Sequence, residues 1–177
     1  MKFKFAHDRL DDLGPTVLKR LHELTNSPLR GDVRDNGDGA GSHFRNVLDD
    51  ALCGESHPHS WVVVARDRFR VAGWSMVTSH LRDPLDGKRL SVPTGAVGFY
   101  VHPDFRRQGL GLCLIQEVSE VARINGMGRL LANPWNRTSN SFFQAAGFID
   151  ISPYIPGWAK GTSVLELPPI AAVASGR

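Results

Sequence analysis

The chain has 177 residues, 41% of them apolar, enough for one globular domain with a sizeable core. Its 21 basic and 18 acidic residues leave a net charge of +3, far from the one-sided charge of a dedicated nucleic-acid binder, so no nucleic-acid partner is expected. No run of 18 apolar residues exists to cross a membrane, and the opening MKFKF leads into no apolar signal core, so a cytoplasmic protein is expected.

Residues 3–5 carry a poor strand signal. Over residues 13–24, Val17, Leu18, Leu21 and Leu24 recur at helical spacing, with Pro15 suited to a helix start and Asn26-Ser27-Pro28 to its end. Residues 31–42 (GDVRDNGDGAGS) are loop by composition. Their acids lack calcium-loop spacing, and no metal is expected. Ser42 is placed to cap a second helix through about Cys53, with Phe44, Val47, Leu48, Ala51 and Leu52 as its apolar face. His57-Pro58-His59 has no third ligand at suitable spacing and reads as a solvated turn. The β-rich runs 61–65 and 69–77 flank Arg66-Asp67-Arg68 as a hairpin, and 82–93 reads as a turn-rich connection.

Residues 96–112 (AVGFYVHPDFRRQGLGL) organise the rest. A buried strand over 96–101 stops before Pro103. A short cationic turn with Gly109 and Gly111 follows, then a helix to about Asn125. That helix buries Leu114, Ile115, Val118, Val121 and Ala122, turns Gln116, Glu117, Glu120 and Arg123 outward, and stops at Asn125-Gly126. Strand, glycine turn and helix N-terminus in succession make an anion site, because free N–H groups and the helix dipole point the same way. A Walker loop is excluded, since no Lys-Ser or Lys-Thr follows the glycines. A dinucleotide fingerprint is excluded by Leu114, which stands where the third glycine belongs.

Residues 129–132 then form a short strand and 136–146 a helix closed by Gly147. Two antiparallel strands over 149–158 and 162–167 end the fold. A single domain over 1–168 with a tail over 169–177 is expected. Cys53 and Cys113 belong to no Cys-x-x-Cys pair and read as reduced, buried thiols.

The turn resembles the pyrophosphate loop of the GNAT family of acyl-CoA N-acyltransferases, whose motif [RQ]xxGx[GA] falls on Arg106, Gly109 and Gly111. NRTSNSFFQAAGF, residues 136–148, is similar to the family's NxxAxxxYxxxGF block. The element order agrees over about residues 5–167. The resemblance implies an α/β (α+β) GNAT fold: a mixed, mostly antiparallel sheet splayed at a V-shaped cleft, with about four helices. It also implies acetyl-CoA as co-substrate and N-acetyltransferase activity, by direct attack of a small-molecule or protein amine on the thioester. The N–H groups of Gln108, Gly109, Leu110, Gly111 and Leu112 would hold the pyrophosphate, and Arg106 and Arg107 would add charge. Backbone of Phe99 and Val101 would pair with the pantetheine arm, Asn136 would reach it from the far side, and Phe143 would stand beside it.

The family often places a tyrosine at position 143 as the proton donor to the leaving thiolate, and Phe143 has no proton to give. Tyr100 is expected on the strand face opposite Phe99 and Val101, Tyr154 on a late strand with some reach toward the cleft. His102 and His80 are candidate bases, though His102 reads first as a structural strand end. No catalytic residue is assigned. The acceptor pocket is implied around the 31–42 loop with Asp32, Asp35 and Asp38, the 82–93 loop, His80, Trp61, Trp74 and Trp158. A homodimer is left open. The missing hydroxyl keeps an alternative open: an acyl-CoA-binding regulatory module that performs no turnover.

Overall fold

Seven strands form one sheet in the order β1 (Lys4–Arg9), β2 (Ser60–Asp67), β3 (Arg70–Arg82), β4 (Arg89–Val101), β5 (Arg129–Ala132), β7 (Leu165–Leu167) and β6 (Ile149–Asp150). The computed structural model describes residues 3–26, 40–68, 70–82, 87–134, 137–155 and 164–167. Every neighbouring pair is antiparallel except β4 and β5, which run parallel. Four helices complete the described architecture: α1 (Pro15–Asn26), α2 (Ala40–Leu52), α3 (Leu110–Ile124) and α4 (Arg137–Ala145).

Strand periodicity divides the core in two. Val62, Val64, Trp74, Met76 and Tyr100 pack beneath α1 and α2 with Leu18, Leu21 and Leu48. Their alternates Val63, Ala65, Val77 and Val97 pack on the opposite face with Leu114, Val118 and Ala122 of α3 and Phe143 of α4. Burial of each such large apolar side chain contributes about 1.5–3 kcal/mol. Ser75 Oγ, fully buried, donates to the Leu114 carbonyl at 3.1 Å and fixes α3 against β3.

Several boundaries differ from the sequence expectations. The first strand runs over Lys4–Arg9 rather than residues 3–5, because it pairs with β2 along its whole length. Helix α2 starts at Ala40, so Ser42 lies inside it and does not cap it. Leu52 at its last position is exposed, and the side chain of Phe44 is outside the described set. Within the expected 82–93 connection, of which residues 83–86 lie outside the described set, Arg82 ends β3 and residues 89–93 already belong to β4. Pro93 has no N–H to offer, but its carbonyl accepts from Gly128 N–H at 2.9 Å and stays within the strand. Of the expected strand over 149–158, the described residues form strand at Ile149–Asp150 only, because the Asp150 carboxylate accepts from Ser152 N–H and starts a 3-10 turn over Ser152–Tyr154. Residues 156–163 lie outside the described set. The two cysteines are not buried as expected. Cys53 follows the end of α2 and is exposed, and Cys113 is half-buried; both are free.

One irregularity positions everything that follows. The parallel pairing of β4 with β5 covers Thr94↔Arg129, Gly95↔Leu130 and Ala96↔Leu131, and it stops there. Among the described residues, strand β4 goes on to Val101 paired only with β3. The sheet therefore opens on the β5 side of residues 97–101.

Candidate active site

At the end of β4 the chain turns through 3-10 residues Pro103–Phe105 and reaches α3 by way of Arg106, Arg107, Gln108 and Gly109. Arg107 and Gly109 both adopt left-handed backbone, at φ 58° and 79°. At Gly109 this conformation, not space, calls for glycine, since a Cβ there would meet nothing within 4 Å. The first helical bond of α3 that includes Gly109 is Cys113 N–H to the Gly109 carbonyl, at 3.2 Å. The N–H groups of Leu110, Gly111 and Leu112 precede it and have no intrahelical acceptor. The exposed Arg107 stands beside them. Gln108 donates through Nε2 to the Asp104 carbonyl at 2.9 Å, which holds the turn closed.

Hydrogen-bond parity shows which backbone groups face the sheet opening. His102 N–H donates to the Ala72 carbonyl of β3 at 2.9 Å. Alternate residues of a strand point the same way, so the N–H and C=O groups of Val97, Phe99 and Val101 point to the other side, toward β5. Beyond Ala96 no strand pairs on that side among the described residues. An independent contact agrees: the Val101 carbonyl accepts from Arg106 Nε at 3.2 Å. The opening thus has a polar backbone edge on β4 and an electropositive helix start at its end.

An aromatic group lines the α3–α4 face beside this edge. The Phe99 ring centroid is 4.4 Å from that of Phe142 and 5.3 Å from that of Phe143. Phe143 also lies 5.0 Å from Phe148 and is buried. It is a packing residue whose ring contacts are with Phe99, Phe142 and Phe148. Phe142, which the sequence reading did not single out, joins α4 to the start of α3 across Gly111. The Phe-Phe pair three residues before the end of a glycine-closed helix was its only signal.

The remaining candidates are dispersed. Tyr100 lies in the core beneath α1 and α2, on the face opposite Phe99, as expected. Tyr154 stands in the 3-10 turn rather than on a strand, and it is 83% exposed. His102 Nδ1 accepts from Asp104 N–H at 3.2 Å, which places its proton on Nε2 and makes it the cap of the 3-10 turn. Trp74 is buried core, and Trp61 packs half-buried on the opposite face. Asn136, Asp32, Asp35, Asp38 and Trp158 lie outside the described residues. Among the described residues no three His, Cys, Asp or Glu side chains gather to hold a metal ion, and no helix is long and apolar enough to cross a membrane.

Residues 18–148 match the acetyltransferase (GNAT) family. The chain belongs to that family. The GNAT fold is also found in the aminoglycoside N(6′)-acetyltransferase of Legionella pneumophila, at 16% identity and TM-score 0.65, with 94% of this chain and 93% of that one covered. The PaiA N-acetyltransferase of Thermoplasma acidophilum, solved with coenzyme A, matches at 12% identity and TM-score 0.57, covering 95% and 99%. The yncA protein of Salmonella typhimurium, solved with its cofactor acetyl-CoA, matches at 17% identity and TM-score 0.59, covering 97% and 98%. No curated protein sequence matches the chain. For a GNAT acetyltransferase the sheet opening beside the glycine turn is the candidate active site.

Proposed function

We propose that this GNAT protein is an N-acetyltransferase that moves the acetyl group of acetyl-CoA onto a primary amine. The observation that carries the reading is the left-handed turn at Gly109, set at the end of a strand whose outward edge has no partner strand beyond Ala96 among the described residues. In this reading the N–H groups from Gln108 to Leu112 hold the pyrophosphate and Arg107 supplies positive charge, while Arg106 Nε is engaged on the Val101 carbonyl. The outward backbone groups of Phe99 and Val101 pair with the pantetheine arm and hold the thioester carbonyl polarised. In the same reading, carried over from the family resemblance, Asn136 hydrogen-bonds the pantetheine arm and Phe143 stands beside it. No metal enters the scheme.

Acetyl-CoA supplies the activated acyl group. The amine nitrogen attacks the thioester carbon, the new C–N bond forms, the C–S bond breaks and the thiolate leaves. Protein residues orient the two partners and exclude water, a contribution worth several kcal/mol when the geometry is right. With a phenyl ring and no hydroxyl at position 143, the proton lost by the amine and the one gained by the thiolate are assigned to solvent. The acceptor is an amine of a small molecule or a protein, and the two N-acetyltransferases of similar fold support that class. We place the protein in the cytoplasm, consistent with two cysteines outside any Cys-x-x-Cys pair.

Phe143 favours one second reading, an acyl-CoA-binding module without turnover. Thermal unfolding with and without acetyl-CoA tests both, beside a Gly109→Asp, Gly111→Asp double variant. Ligand at a hundredfold excess over its Kd stabilises the folded state by about 2.7 kcal/mol. A shift seen in the wild type and lost in the still-folded variant supports the site. Thiol release with a panel of amines then supports the transferase, and a shift without release supports the silent module. No shift at all sinks both.

A further inference from the structure

Arg106 opens the glycine turn, where its charge invites a role as a phosphate ligand. Its side chain goes elsewhere. It folds back five residues, and Nε donates to the Val101 carbonyl at 3.2 Å. The peptide unit that carries this carbonyl also carries His102 N–H, which donates to the Ala72 carbonyl at 2.9 Å. A continuous relay results: Arg106 Nε–H to the Val101 carbonyl, then His102 N–H to the Ala72 carbonyl. Each bond polarises the next, because the shared peptide group is pulled from both ends. Relay and turn also share a backbone tie, since Arg106 N–H donates to the Pro103 carbonyl at 3.2 Å.

The relay acts at the last rung of the β3–β4 ladder, where the sheet is open on one side. A strand end without a partner on that side frays readily. Resting on the acetyl-CoA reading above, we propose that Arg106 is a positioning residue. It pins the end of β4 to β3 and sets the register between the phosphate turn and the strand edge that reads the pantetheine arm. Its bond also engages one outward acceptor of that edge. The arm then meets Val101 chiefly through the Val101 N–H, while Phe99 offers both its groups. Arg106 thereby selects for an amide carbonyl opposite Val101.

The test separates this role from phosphate binding by using two probes on the full-length protein. Coenzyme A carries both the phosphates and the arm, and 3′-phospho-ADP carries the phosphates without it. Dissociation constants are measured calorimetrically for the wild type, Arg106→Gln and Arg106→Lys. Arg106 is exposed, so the variants should fold, and each melting curve is recorded. Glutamine is too short for the span, and loss of one charge-assisted hydrogen bond predicts about tenfold weaker coenzyme A binding. The affinity for 3′-phospho-ADP should stay within about twofold, and lysine, which keeps a donor, should hold coenzyme A within about threefold.

A merely structural role would weaken both probes together, as would a direct phosphate contact, and either result overturns the proposal. So does unchanged binding of both. If the wild type binds neither probe, the acetyl-CoA reading itself fails and takes this one with it. Wild-type binding with no discrimination in the variants defeats the positioning role alone.

Discussion

Phe142 lies across the backbone of Gly111, so close that a Cβ on Gly111 would stand 2.8 Å from Phe142 Cε2. The ring has little room to retreat. It is packed between Phe99 at 4.4 Å and Phe143 at 5.5 Å. The second glycine of the turn therefore answers to packing from α4. Gly111→Ala is expected to cost about 1–2 kcal/mol: overpacking of about 1–3 kcal/mol is partly offset by up to about 1 kcal/mol of helix propensity. In a Phe142→Leu background the same change should be neutral or stabilising. A double-mutant cycle by urea denaturation measures the coupling, and additive effects would refute the contact.

Gly109 answers to a different constraint. Its neighbourhood is open, but its φ of 79° is costly for a residue with a Cβ. Gly109→Ala should lose about 1–2 kcal/mol through backbone strain, and Gly109→Asn, which tolerates this conformation, distinctly less. The order Gly, Asn, Ala should appear both in denaturation midpoints and in the stabilisation conferred by acetyl-CoA. Equal effects of Asn and Ala would argue against a left-handed turn.

The parts of this site that were legible in the sequence are the local ones. The glycine turn and α3 lie within one contiguous stretch, where residue type and helical spacing carry the signal. The splay of β4 from β5 was available only through the family resemblance. What could not be read depends on particular contacts that residue type and spacing do not reveal, some between distant segments and some between near neighbours. Pro93 looks like a strand breaker until Gly128 arrives to use its carbonyl. Residues 149–158 look like a strand until the Asp150 carboxylate captures Ser152 N–H. Arg106 looks like a phosphate ligand, and only the fold shows its Nε on Val101. Phe142 acquires its role from its approach to Gly111, with α3 and β5 intervening in sequence.

Thr94 sits where β4 begins to pair with β5, between His80 of β3 and Arg129 of β5. It is fully buried, and its Oγ1 has no hydrogen-bond partner among the described residues. A buried hydroxyl without a partner costs about 1–3 kcal/mol of desolvation. Valine has nearly the same shape and the same branching at Cβ, which suits a strand. Thr94→Val should therefore stabilise by about 1 kcal/mol, a rise of about 2–4 °C in Tm for a chain of this size. A fall in Tm would mean that the hydroxyl has a partner that matters.

Asp11 ties the start of the helical layer to the segment that follows α2. Its carboxylate accepts from His57 N–H at 2.6 Å and from Ser56 Oγ at 2.7 Å. The His57 N–H first, and the Ser56 hydroxyl second, hold its carboxyl below the ordinary carboxylate range. A carboxylate depressed in the folded state stabilises the protein above its unfolded pKa, and this contribution is lost as pH falls through the folded value. The carboxylate is largely exposed, so solvent screening keeps the effect modest. Asp11→Asn should lower the urea midpoint at about pH 7, and the gap to wild type should close as pH falls through the depressed folded value, below which both side chains are neutral. Comparing the two proteins at each pH cancels the titration of every other group. A gap that stays constant across this range would assign Asp11 a role in packing alone, because only a charge-dependent contribution disappears on protonation.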